Sequence, residues 1–138
     1  LREGGAPGAP RAPAPGLDHL GGLVEVTEGA GVAVDVAVDG PARPLPKAIE
    51  LTAYRIIQES LTNVIRHAHV PEARVRVRYA PAALVLEITD DGVGAGANGT
   101  PGHGIAGMRE RAAAVGGTLA AGPAPEGGFR VRATLPAP

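Results

Sequence analysis

Glu59, Asn63 and His67 fall four residues apart in the run Q-E-S-L-T-N-V-I-R-H-A at 58–68. On a helix that spacing aligns side chains along one stripe. A carboxylate and a carboxamide one turn apart offer hard oxygen ligands, the kind that Mg²⁺ takes alongside water and phosphate. The solvated face of an ordinary helix has the same spacing, and the stripe alone does not separate the two. A second candidate is D-D-G-V-G at 90–94, directly behind an apolar run. There the Asp90 carboxylate can accept a hydrogen bond from an exocyclic amine such as adenine N6, while Gly92 and Gly94 let backbone approach a flat base. An Asp-Gly turn without a ligand reads identically. The third is Gly102-His103-Gly104 ahead of Ile105. Glycines at a helix start leave N–H groups and a positive dipole end open to phosphate. Residues 95–101, A-G-A-N-G-T-P, have the small, polar character of a ligand lid and equally of a surface loop. Taken in order, these stretches point to ATP chemistry in a chain that has neither a P-loop nor a dinucleotide fingerprint.

The elements that must position these residues are readable from periodicity. Apolar residues through 46–68 recur at helical spacing, with Pro46 suited to the first turn and Pro71 ending the segment. A shorter helix is expected from Leu17, weakened by Gly21 and Gly22, and another over 104–115, stopped by Gly116-Gly117. V-A-V-D-V-A-V at 32–38 predicts a strand with one buried face. R-V-R-V-R-Y at 74–79 and A-L-V-L-E-I-T at 83–89 predict an antiparallel hairpin. Two more strands are expected near 118–121 and 129–135. The fold class expected is α/β (α+β): a two-layer sandwich, a mixed sheet with about three helices on one face. Residues 1–16 are rich in Gly and Pro and read as a linker, leaving 17–138 as the folded domain.

Composition removes several classes of function. With 13 basic and 14 acidic residues there is no electrostatic case for direct nucleic-acid binding. Cysteine is absent, which excludes disulfides and thiolate metal sites. No apolar run approaches the ~18 residues a membrane span requires, and no signal peptide is expected. Tyr54, Tyr79 and Phe129 are the only aromatic residues, so Leu, Val, Ile and Ala must build the core. The chain begins at Leu1 rather than Met, and a piece of a longer protein is expected.

The four stretches Y-R-I-I-Q-E-S-L-T-N-V-I-R-H-A, D-D-G-V-G, G-H-G-I-A-G-M-R-E-R and G-G-F-R-V-R-A-T-L-P occur in the order seen in the Bergerat-fold ATPases, which include sensor histidine kinases, gyrase, HSP90 and MutL. More narrowly, residues 17–136 resemble the ATP-binding catalytic domain of a bacterial sensor histidine kinase of the nitrate/nitrite-sensor type. The resemblance implies that Asn63 ligates Mg²⁺ bridging the ATP phosphates. Glu59 would position a metal-bound water or help activate the phosphate acceptor. Arg66 and His67 would face the phosphates, while His103 in the lid reads equally as a phosphate contact and as a solvated loop residue. Asp90 would accept from adenine N6 with Gly92 and Gly94 shaping the base pocket, and Gly102 and Gly104 would hinge the lid.

The same resemblance implies a cytoplasmic domain, attached to a membrane only through segments outside this chain. Its partners would be a helical dimerisation domain bearing the phosphoacceptor histidine, then a response regulator. None of His19, His67, His69 and His103 lies in a setting that fits the phosphoacceptor role. A stand-alone anti-sigma-factor serine kinase of the same fold is the alternative. Many relatives carry Gly-Thr where this chain has Gly128-Phe129, so no hydroxyl is offered there. Met108-Arg109-Glu110-Arg111 belongs to the resemblance without an evident chemical role.

Overall fold

Alternation in the strands decides the architecture. In a computed structural model describing residues 14–68, 71–92, 103–125 and 127–138, β2 (Glu72–Ala80), β3 (Ala83–Asp90) and β5 (Phe129–Pro136) bury every second side chain. Val75 and Val77, Leu84, Leu86 and Ile88, and Val131, Ala133 and Leu135 all face one side. The opposite face carries Arg74, Arg76, Arg78, Glu87, Arg130 and Arg132. Pairs such as Arg76–Asp35 at 3.5 Å and Arg130–Glu87 at 3.8 Å tie its surface loosely, since exposed pairs contribute little to stability. With β1 (Ala33–Asp39) and β4 (Thr118–Pro123), the sheet runs β1-β2-β3-β5-β4. β1 lies parallel to β2 and every other pairing is antiparallel, so the sheet is mixed.

Three helices cover the apolar face. Helix α2 (Lys47–Asn63) starts at Pro46, whose carbonyl accepts from the Ile49 and Glu50 N–H groups at 3.0 and 3.1 Å. Its buried residues Ile49, Ala53, Ile56, Ile57, Ser60 and Leu61 follow the three-and-four spacing of a single stripe. Beyond Asn63 the helix widens into a π-turn, Val64–Ala68, a distortion often found at functional sites. A 3₁₀ turn (Leu17–His19) leads into α1 (Leu20–Gly29), and α3 (His103–Ala114) packs on α2. At the end of α3 the Gly117 N–H reaches the Ala112 carbonyl at 2.8 Å and that of Gly116 reaches Ala113 at 2.9 Å. Gly116, at φ +82°, takes the left-handed conformation that this double closure requires.

The expected two-layer sandwich is therefore the fold observed. One element departs from expectation. Val36 and Val38 of β1 remain 37% and 54% exposed, so the strand does not bury one face. β1 is an edge strand, and Val38 lies on the rim of an open groove where the helix layer no longer covers the sheet. Among the described residues no helix is long and apolar enough to cross a membrane.

Leu86 is fully buried at the centre of the sheet. Leu86→Ala should destabilise the fold by about 2–5 kcal/mol, the usual range for opening a core cavity. Urea unfolding measures it, and a change below about 1 kcal/mol would contradict this placement of the core.

Candidate functional site

The helix-covered face of the sheet ends at Asp90. Counting by twos from Leu84 through Leu86 and Ile88 brings the carboxylate onto the apolar side, and Asp90 is only 5% exposed. Such a group needs partners. The Gly92 N–H donates to its Oδ1 at 2.8 Å, and the backbone N–H of Phe129 on β5 also favours its charged form. Burial pushes the carboxyl above its ordinary value. The two N–H donors pull it down, and the neighbouring Asp91 adds to the rise. The result is an oriented acceptor in an apolar wall, suited to receive one N–H donor.

Asp90 is held there by close backbone packing. Gly128 precedes Phe129 at φ +83°, and a Cβ on it would collide with the Asp90 carbonyl. Only glycine allows β5 to approach this closely at that backbone conformation. Sequence reading treated Gly128-Phe129 as a departure and missed its contact with Asp90. The pairing is between β3 and β5, with α3 and β4 intervening, and local pattern carries no signal for it.

A second convergence joins α2 to α3. Glu59 is half-buried, and Gly104 in the first turn of α3 lies directly against its side chain. A Cβ there would stand 3.0 Å from Glu59 Cδ and 3.1 Å from Cγ. Ser60 Oγ donates to Met108 Sδ at 3.4 Å between the same two helices. Met108 is buried, whereas Arg109, Glu110 and Arg111 are exposed, so this stretch of the motif fixes α3 to the core through one side chain. Asn63 is half-buried one turn beyond Glu59. Among the described residues neither Glu59 nor Asn63 has a side-chain hydrogen-bond partner, which leaves both available to a ligand.

Arg66 and His67 are exposed on the π-turn. His103 begins α3, with its side chain outside the described residues. Gly94, Gly102 and the proposed lid between them also lie outside the described residues. The structure thus brings Glu59 to Gly104 and Asp90 to Gly92, Gly128 and Phe129. No group of three or more His, Cys, Asp or Glu that could hold a metal occurs among the described residues.

Chemically, the structure offers a buried carboxylate acceptor at the end of β3 and, on α2, two side-chain oxygen donors without hydrogen-bond partners among the described residues. The pH dependence follows from the raised Asp90 carboxyl. An acid whose folded pKa is raised contributes stability that is complete below the ordinary carboxylate pKa and lost as pH rises through the elevated value. At neutral pH the ionised group is a burden on the fold that a bound N–H donor relieves. On acidification, affinity for an adenine nucleotide should begin to fall at a higher pH than the ordinary Asp value of 3.8 would dictate. Titrating affinity against pH in wild type and Asp90→Asn tests this. An identical profile in the two would remove Asp90 from the effect.

The model of the histidine kinase-, DNA gyrase B- and HSP90-like ATPase family matches residues 48–138. The sensor histidine kinase YxjM of Bacillus subtilis (strain 168) is 37% identical over 123 residues, covering 88% of this chain and 30% of that protein. UhpB of Salmonella typhimurium (strain LT2), a signal transduction histidine-protein kinase/phosphatase, is 37% identical over 76 residues, covering 54% of this chain and 15% of its own length. The chain thus spans less than a third of either relative. Among solved structures, the blue-light activated histidine kinase of Erythrobacter litoralis EL346 aligns with a TM-score of 0.66 at 21% identity, covering 88% of this chain and 42% of that one.

Proposed function

The chain belongs to the histidine kinase-, DNA gyrase B- and HSP90-like ATPase family as an ATP-binding catalytic domain of a sensor histidine kinase, and from this we propose how it holds and uses Mg-ATP. The observation that carries the reading is Asp90, buried and oriented by the Gly92 N–H at the end of an apolar strand. Adenine N6 donates to its carboxylate, and Gly92 and Gly94 flank the base. The phosphates would extend toward the start of α3 and Gly104, with Gly102, His103, Arg66 and His67 as their further contacts.

The Asn63 carboxamide, without a hydrogen-bond partner among the described residues, fits a hard divalent cation on oxygen grounds, with phosphate and water completing the shell. Bound there, Mg²⁺ would neutralise charge on the phosphates. Asn63 would also orient the phosphate chain. Glu59, beside the first turn of α3, would position a water or the incoming acceptor. Transfer of the γ-phosphoryl group forms a P–N bond to an imidazole nitrogen and breaks the P–O bond to ADP. That imidazole would belong to a helical dimerisation domain upstream of residues 1–16, which serve as the linker to domain 17–138. From there the group would pass to a response regulator. The kinase would be of the nitrate/nitrite-sensor-like kind, and its membrane attachment, where present, would lie outside this chain.

The test uses the full-length parent protein and γ-labelled ATP. Label lost in acid and retained in base is expected, since a phosphoramidate hydrolyses in acid. Acid-stable label would overturn histidine as acceptor and favour a serine kinase of the same fold.

A further inference from the structure

Phe129 stands directly opposite Asp90 in the β3–β5 pairing. Opposed residues on antiparallel strands share a face, and Val131, Ala133 and Leu135 continue that face down β5 as buried core. The Phe129 ring therefore lies beside the Asp90 carboxylate on the helix-covered side. It packs against the apolar core while remaining partly accessible. Phe129 is the only Phe in the chain and offers no polar side-chain atom. Its backbone N–H favours the ionised carboxylate, and its ring supplies apolar aromatic surface next to it.

The geometry points to Phe129 as an affinity- and specificity-determining residue of the base site. Its ring forms an apolar wall against the purine, adding ring contact to the hydrogen bond on the Asp90 carboxylate. This rests on the nucleotide reading above and adds a residue to it. Two contributions then separate. The Asp90 interaction requires the exocyclic N6 amine, whereas the Phe129 contact requires only a purine.

Two probes distinguish them by calorimetry with Mg²⁺: a non-hydrolysable ATP analogue, and its purine-riboside counterpart lacking N6. Phe129→Thr should weaken both by about tenfold, within the range that aromatic–base contacts carry. Asp90→Asn should weaken only the N6-bearing probe strongly. Phe129→Leu keeps apolar bulk and should lose about threefold on both, the smaller loss expected when the ring alone is removed. That variant decides the matter if the Thr variant fails to fold. Unchanged affinity in a folded Phe129 variant would overturn the proposal while leaving the nucleotide reading intact. So would a loss confined to the N6-bearing probe, since Phe129 would then act only through Asp90. Absence of binding by the wild-type chain would overturn the nucleotide reading itself, and this proposal with it.

Discussion

Asp90→Asn should weaken binding of an ATP analogue by about 100-fold or more while leaving the chain folded. The asymmetry follows from the surroundings of the side chain. An Asn at 90 keeps an oxygen, which remains engaged with the Gly92 N–H at the 2.8 Å contact now seen. Its amide nitrogen is then directed toward the base, so that donor faces donor. The loss combines a hydrogen bond to a charged acceptor with a newly unpaired buried donor, each worth about 1–3 kcal/mol. Together they reach two orders of magnitude in affinity. Stability should not fall in parallel, because burial already disfavours the ionised carboxyl at neutral pH. Equilibrium dialysis and thermal unfolding on the same preparations separate the two effects. Affinity and stability falling together would instead make Asp90 a structural residue.

Asn63→Asp should be as damaging, and worse than Asn63→Ala. A carboxamide can ligate a cation through oxygen and donate an N–H to a phosphate. An aspartate loses the donor and adds a negative charge one turn from Glu59, a like-charge pair that destabilises the helix face. Placed beside a triphosphate, that charge should reduce Mg-nucleotide affinity by about 100-fold, the equivalent of roughly 2.7 kcal/mol. The alanine variant loses the ligand and the donor without adding charge. Competition binding of the three proteins at fixed Mg²⁺ ranks them. An Asp variant that binds better than the Ala variant would show that residue 63 serves only as a metal ligand.

Much of the arrangement was legible because it is locally encoded. The α2 stripe, the β2–β3 hairpin with its two-residue turn, and the glycines ending α3 are consequences of spacing within a few turns of chain. Glu59, Asn63 and Asp90 could be picked out because their residue types stand out against apolar elements. What was not legible depends on distant contacts. The placement of β1 at the sheet edge, beyond the cover of the helices, leaves Val36 and Val38 partly exposed, contrary to the alternating pattern. The π-turn interrupts an otherwise regular helix at Val64, with no breaker residue to announce it. Phe129 reaches Asp90 only because β5 inserts between β3 and β4. The closeness of Glu59 to Gly104 likewise depends on how α3 packs on α2.

The central claim is that this chain holds Mg-ATP with its base on Asp90. The most direct measurement is a calorimetric titration of the chain with a non-hydrolysable ATP analogue, with and without Mg²⁺, beside Asp90→Asn. Saturable binding that strengthens with Mg²⁺ and falls by about 100-fold or more in the variant is the predicted result. Binding of equal strength in wild type and variant, or none to the folded wild-type chain, would contradict it.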